Sequence, residues 1–487
     1  MKDLTIPIIC AAVGFGLLGA AKGLDEGLIA TTVTLPSFIK EYELDSTALS
    51  AAERANRLSN ITSMVHIGSL PGALLAFLFN EGVGPLWAMR EMCLLWIVGV
   101  VIVITSAGDM SQLIAGRFIM GMGIGQAGII GPIYLAEVAS SVRRGMLVNI
   151  YASSEYIGIL IGYFAGYGAA LHLSTHSDEQ WIIPQSTQLM MAVILLLFSL
   201  GCVDSPRYLC RIGRLDQASH ALGRLRRQPS DSPDVKDELQ SIQSQFADDG
   251  SKRVWWSWLT PWTLLFGDKG NRSRLLFLVS AQLLSQWSGT NAITTYAPEF
   301  FSLLSVTDKS EKLLKTGIFG AVKLFSALVC TIFFIDQVGR KRSLMSGIIL
   351  QLLALLYVAI YLTALPSGGS GSDSKAVHGA AIAAIVSIYV TGVGYAFGWN
   401  SVQYLLNTEI LPSKVRTLGT SILMCIHYAN RFALTKAVPT MMLADALQPK
   451  GTFWFFFAVA FLGLLWGIFL LPETAKSNLE ETSKMVE

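Results

Sequence analysis

Gln282, Gln286 and Gly289 follow one another at spacings of four and three in the stretch QLLSQWSGTNAITTY (282–296), so they share one helix face. Asn291 joins that face only if the helix loosens near Gly289. Amides suit polyols because each offers a donor and an acceptor to adjacent hydroxyls. A buried amide in an apolar medium costs about 2–7 kcal/mol unless it finds a partner. Several of them in a stretch apolar enough to cross a bilayer point to a wet cavity. Such a cavity could pass a hydroxyl-rich solute. The alternative is hydrogen bonding between membrane helices.

Ionisable residues within apolar runs are the second chemical signal, because an intramembrane charge is expensive and tends to pair, titrate or both. Asp25 with its neighbour Glu26, Arg117, Glu155 and Lys323 are of this kind. Protonating Asp25 would release a basic partner and so couple a proton to a conformational change. Against this, Asp25 could form a structural ion pair with Lys22. Lys323, within GIFGAVKLFSALVC, could attract an anionic solute or be held by neutral acceptors. Trp399 and Tyr404 could stack on a sugar face, although aromatics at helical spacing more often pack a core.

The whole chain is apolar: 487 residues, 52% hydrophobic and 14% charged, with a mean hydropathy of +0.51. Ordinary soluble domains are about 25% charged. This composition identifies an integral membrane protein, and apolar runs of about 20 residues make it an all-α one. A net charge of +2 gives no reason to expect nucleic acid. The six cysteines show no metal-ligand spacing and read as buried thiols. No nucleophile–base set, metal cluster or phosphate loop is present in the sequence, so neither an enzyme nor a bound cofactor is expected. The N-terminal apolar run continues through GLDEG (23–27) without a cleavage site and reads as a first span rather than a leader.

Spans of about 20 apolar residues centre near 5–30, 62–80, 91–108, 112–135, 147–168, 187–203, 274–298, 315–335, 343–364, 378–403, 417–440 and 452–471. Twelve spans divide into halves at 1–203 and 274–471, with a polar insert of amphipathic helices at 204–273 and a short tail at 472–487. The insert carries Arg207, Arg211, Arg214, Arg224, Arg226 and Arg227, which places it and both termini in the cytoplasm. The polar connection 365–375 then faces outward, as does the sequon Asn60-Ile-Thr, a glycosylation candidate close to the second span.

The halves echo each other. EVASSVRR (137–144) matches EILPSKVR (409–416), EGVG (81–84) matches DQVGRKR (336–342), and DSPR (204–207) matches ETAK (473–476). Parallel repeats of this kind enclose a central site and rock around it. Together with GLDEG, GRFIMGMG (116–123), DSPRYL (204–209), QWSGTN (286–291) and PETA…LEE (472–481), these motifs resemble the sugar porter family of the major facilitator superfamily along essentially the whole chain. The wording is most similar to the fungal quinate, hexose and lactose permease branch.

That resemblance implies a secondary transporter of two pseudo-symmetric six-helix halves. It would move a sugar or related polyol, by proton symport in many members, across a membrane that is here read as the plasma membrane. It would work as a monomer in the bilayer. It also implies roles: Asp25 and Arg117 form the proton-gated pair; Gln282, Gln286, Asn291, Tyr404 and Asn430 contact the solute; Trp399 is a further aromatic candidate. Tyr296 gates the outer side, with Thr295 in place of the usual partner tyrosine. Glu137, Arg144, Asp336, Arg340, Glu409, Arg416 and Arg207, with Arg143 nearby, form a cytoplasmic charge network whose salt bridges break on inward opening.

Four departures bear on the solute. Ser285 and Ala152 replace glutamines usual in the family, EGVGP (81–85) lacks the basic residues of its loop, and Trp181-Ile-Ile-Pro184 lacks an arginine. Each lost hydrogen bond is worth about 0.5–1.5 kcal/mol, which weakens the case for glucose. Glu155 and Lys323 add charge that would suit a quinate-like hydroxy-acid or another metabolite, imported or exported. A nutrient sensor is a third reading, disfavoured because only about fifteen residues follow the last span.

Overall fold

The computed structural model describes residues 6–45, 49–139, 144–247, 260–304, 306, 308–334, 337–364, 375–412 and 415–471. With no water in a bilayer core, a crossing segment must satisfy its backbone internally, and helices do so. Twelve helical crossings result. The first is Ile6–Gly16 continued by Leu18–Thr32; the second to sixth are Ala51–Gly82, Pro85–Ile104, Met110–Val138, Arg144–His172 and Glu179–Gly201. The seventh is Lys269–Trp287 followed by Thr290–Thr295 and Ala297–Leu303. The eighth is Lys309–Val329 closed by a π turn, Cys330–Phe334, and the ninth is Arg340–Ala364. The tenth runs Lys375–Tyr395, a π turn at Ala396–Asn400 and Ser401–Glu409; the last two are Arg416–Met441 and Gln448–Phe469. Short helices Pro206–Arg211, Leu215–Arg226, Pro233–Ala247 and Thr260–Gly267 lie between the sixth and seventh crossings.

Among the described residues, eight crossings are long and apolar enough to span a membrane on composition alone. The other four are the first, fifth, seventh and eleventh. These hold Lys22, Asp25 and Glu26, then Glu155, the amide stripe, and His427 with Arg431. The first falls short because it is split at Leu17 into helices of 11 and 15 residues, and the other three are more polar; apolar side chains such as Leu94, Leu197, Phe325 and Leu353 turn outward toward lipid.

Two differences from the sequence expectation have local causes. The second crossing starts at Ala51, not near 62, because Ser50 and Glu53 form a reciprocal capping box. Asn60 therefore lies inside a helix rather than on a loop, and its side-chain oxygen accepts from Lys436. The expected continuous span at 274–298 is broken: Gly289 adopts φ +92°, a left-handed conformation that glycine tolerates. The segments 365–374 and 472–487 lie outside the described residues, as does Asp336.

Close packing fixes the first crossing against the fifth. Gly23 and Gly27 meet Gly158 and Gly162 at four-residue intervals, the small-residue spacing that lets membrane helices touch through backbone, while Gly19 lies against Tyr151 and Ser154 and Gly166 against Thr31. A Cβ on Gly23 would stand 1.7 Å from the Glu155 carbonyl oxygen, and one on Gly158 2.2 Å from that of Ala20. This contact brings the carboxylates of the first crossing and Glu155 into one neighbourhood. Between the halves, the second crossing packs on the eleventh and the fifth on the eighth.

Gly23→Ala should lower the melting temperature of the purified protein in detergent, at a cost of about 1–3 kcal/mol for overpacking. Gly168→Ala, where a Cβ meets nothing within 4 Å, should leave it unchanged or slightly raised. Equal melting of Gly23→Ala and wild type would refute this helix contact.

Candidate functional site

Where the halves meet, seven lysine, arginine and acidic side chains lie almost wholly out of water beside the imidazoles of His66 and His427: Lys22, Asp25, Glu26, Arg117, Glu155, Lys323 and Arg431 are each at most 4% exposed. Burying a charge demands a partner, and three pairs form. Arg117 clasps both oxygens of Asp25, at 3.3 and 3.4 Å, between the first and fourth crossings. Lys22 Nζ lies 3.0 Å from Glu155 and donates at 2.9 Å to the Tyr404 hydroxyl, which also reaches Glu155 at 3.3 Å. Arg431 Nη2 lies 2.6 Å from Glu26, joining the eleventh crossing to the first. Asp25 therefore pairs with Arg117 and not with Lys22.

Lys323 is the remaining cation. It donates to Thr294 Oγ1 at 2.8 Å and lies over the Tyr156 ring, 4.4 Å from its centroid. Its partners there are neutral. With all seven groups ionised, four cations stand against three carboxylates, leaving one positive charge.

The amide stripe opens onto the same centre. The break at Gly289 lets Asn291 turn back, so that its Nδ2 donates to Gln286 Oε1 at 2.8 Å and to the Tyr395 hydroxyl at 2.9 Å. Nδ1 of His427 lies 3.0 Å from Gln282 Oε1 and 3.1 Å from Gln286 Nε2. Ser285 donates to Gln403 at 2.9 Å, so the residue that stands in place of a glutamine recruits one from the tenth crossing. Ala152 contributes its carbonyl, which accepts from Asn400 at 2.9 Å. Glu26 Oε1, His427 Nε2 and the hydroxyls of Tyr151, Tyr156 and Tyr428 are buried without a hydrogen-bond partner. A cluster of unanswered polar atoms is what an aqueous solute would satisfy.

Two expected site residues turn elsewhere. Trp399 packs beside Trp466 and against Gly463, inside the second half between the tenth and twelfth crossings. Asn430 faces the outside of the seventh crossing and accepts from Trp287 Nε1 at 3.0 Å. His427, three residues earlier, and Arg431, one later, occupy the central face of the eleventh crossing instead. Neither was singled out in the sequence, and neither were Gln403, Tyr395 and Tyr156. Each is an ordinary polar residue in an apolar run, and only helix phase relative to the centre distinguishes it.

The Tyr296 hydroxyl shares a hydrogen bond with Thr62 at 2.9 Å and donates to the Thr435 carbonyl at 2.7 Å, closing the halves at the end that carries Asn60. At the opposite end, Asn149 and Ser153 reach Thr331 across the halves, both at 2.7 Å. There too, Arg340 pairs with Glu409 at 3.1 Å, Glu137 accepts from Ser205, Arg416 donates to the Leu411 carbonyl, and Arg211 pairs with Glu81 at 2.7 Å. None of these four contacts joins one half to the other. Arg207 is the second residue of the helix Pro206–Arg211 at the same end, and Arg144 begins the fifth crossing, its side chain outside the described residues along with Arg143.

The family model described as "Sugar (and other) transporter" matches residues 9–486. A probable quinate permease of Aspergillus flavus is 31% identical over 474 residues, covering 96% of this chain and 85% of its own. The quinate permease of Neurospora terricola is 29% identical over 98% of this chain and 88% of its own. Among solved structures, the proton:xylose symporter XylE bound to 6-bromo-6-deoxy-D-glucose superposes with a TM-score of 0.83 at 20% identity over 99% of both chains. XylE from E. coli in an inward-open conformation gives 0.75 over 99% of this chain and 100% of its own. The likeness in fold is to a twelve-helix major facilitator protein, and with the family match over nearly all its length, the chain belongs to the sugar (and other) transporter family.

Proposed function

We propose that the protein carries a polyhydroxylated solute bearing one carboxylate, a quinate-like hydroxy-acid, together with a proton. The observation that carries this reading is the surplus positive charge among the seven buried groups at the centre. An uncharged sugar leaves that charge unanswered; a carboxylate answers it, and an interior of low dielectric magnifies the difference. Gln282, Gln286, Asn291, His427 and Tyr404 supply donors and acceptors for the ring hydroxyls. The quinate permeases among the relatives are named for a solute of this chemistry.

Coupling falls to Asp25 and Arg117. A proton on Asp25 dissolves the ion pair and frees Arg117, which raises the central surplus to two. A solute carboxylate reduces it again. Proton and anion therefore favour each other's binding, and a site that favours each in the presence of the other moves them together. The halves 1–203 and 274–471 move as units around this centre. The arginine-bearing end at 204–247 is cytoplasmic, by the excess of basic residues there. Tyr296 and Lys436 close the other, outer end, and Arg340–Glu409 braces the cytoplasmic end of the second half. Asn60, held by Lys436, is then a poor glycan acceptor.

A neutral sugar or polyol is the second reading, favoured by the amide array and by the family description. Uptake by a hexose-transport-null host of hexoses, pentoses, disaccharides and quinate, with and without an uncoupler, separates the two. Uncoupler-sensitive uptake of quinate with no hexose uptake is expected. Hexose uptake without quinate uptake would overturn the anionic reading.

Asp25→Asn should abolish uphill accumulation while sparing exchange down a gradient. Continued accumulation with an unchanged pH profile would remove Asp25 from the coupling step. Gln286→Ala and His427→Ala should each weaken solute affinity about five- to tenfold, one lost hydrogen bond apiece. Asn430→Ala should leave affinity as it is, and an effect as large as that of His427→Ala would contradict the helix phase described above.

A further inference from the structure

Lys22, Arg117 and Arg431 each hold a carboxylate of the protein at 2.6–3.3 Å. Lys323 does not: its hydrogen bond goes to a threonine hydroxyl and its flanks rest on the rings of Tyr156 and Phe319, at 4.4 and 5.4 Å. Glu26 and Glu155 lie near enough to attract it, but both are committed to Arg431 and Lys22. A lysine that is 1% exposed without a carboxylate partner is a costly arrangement. The ring beneath it recovers part of that cost through the cation–π attraction. A second feature points at the same place: the Tyr156 hydroxyl, fully buried, has no hydrogen-bond partner. An ammonium and a phenol donor, from opposite halves of the molecule, thus stand together without an acid to receive them.

We infer that Lys323 and Tyr156 form the subsite that selects the solute's carboxylate, Lys323 by charge and Tyr156 by a hydrogen bond from its hydroxyl. This assignment rests on the anionic reading of the solute given above. Thr294 holds Lys323 in place while the site is empty, and its hydroxyl yields the ammonium when the acid enters. Because Lys323 sits on the eighth crossing and Tyr156 on the fifth, a bound carboxylate bridges the two halves. A neutral polyol gains nothing from this bridge. The subsite therefore sets specificity, while the amides of the seventh crossing bind the hydroxyls of either kind of solute.

The test compares equilibrium binding of quinate with that of its uncharged carboxamide, in detergent, for wild type, Lys323→Gln, Lys323→Arg and Tyr156→Phe. Wild type should prefer quinate by at least thirtyfold. Lys323→Gln should erase that preference by weakening quinate and sparing the amide, Lys323→Arg should keep most of it, and Tyr156→Phe should reduce it about fivefold. Tyr156→Phe keeps the ring and its packing, so it decides the matter if Lys323→Gln does not fold. A wild type that binds both ligands equally, or neither, overturns the anionic reading and this subsite with it. A wild-type preference that survives intact in Lys323→Gln, or in Tyr156→Phe where only that variant folds, overturns the subsite alone.

Discussion

Seven charges buried at the middle of a membrane protein constrain everything around them. Each carboxylate must lie within reach of a cation, and the partners come from the first, fourth, fifth and eleventh crossings. Two of the resulting ties, Lys22 to Tyr404 and Glu26 to Arg431, join one half to the other. Breaking the second leaves two charges alone in a medium that penalises each by several kcal/mol, and breaking the first takes a hydrogen bond from the Lys22–Glu155 pair. The halves can separate on one side only if water or solute takes over those partners. The same charges that hold the closed centre together therefore make its opening depend on what occupies it.

Backbone geometry serves this centre. The facing glycines of the first and fifth crossings remove the side chains that would hold Lys22 and Glu26 away from Glu155. The left-handed turn at Gly289 lets one helix present amides above and below a break, so that Gln286 and Asn291 meet. A Cβ at that glycine would also stand 2.4 Å from the Phe456 ring, which ties the turn to the twelfth crossing. Phase and proximity, rather than any single residue type, convert twelve apolar helices into a polar interior.

The architecture was legible because hydropathy counts and repeated motifs are local properties of a chain. The seventh-crossing stripe was legible for the same reason, including the condition that the helix must loosen at Gly289 for Asn291 to join. Asp25 and Arg117 stood out as charges in apolar runs, and the family motifs paired them. What the sequence hid was which face of the other helices points inward. Asn430 resembled a solute ligand, yet the eleventh crossing turns His427 and Arg431 to the centre and Asn430 to Trp287. Trp399 was drawn into a core by Trp466, a contact between distant segments. Glu26 was only a neighbour of Asp25 until the eleventh crossing supplied Arg431. Pairings of this kind depend on tertiary placement, which periodicity along one helix does not encode.

The central claim is that a solute anion and a proton occupy the site together, so that no net charge crosses with them. Proteoliposomes loaded with the purified protein allow a pH gradient and a membrane potential to be imposed separately while labelled quinate uptake is followed. An inward proton gradient should drive accumulation, and a potential set by potassium and valinomycin, negative inside, should not. Accumulation driven by that potential as strongly as by the proton gradient would mean that net positive charge enters with the solute, and would contradict a site built around a carboxylate.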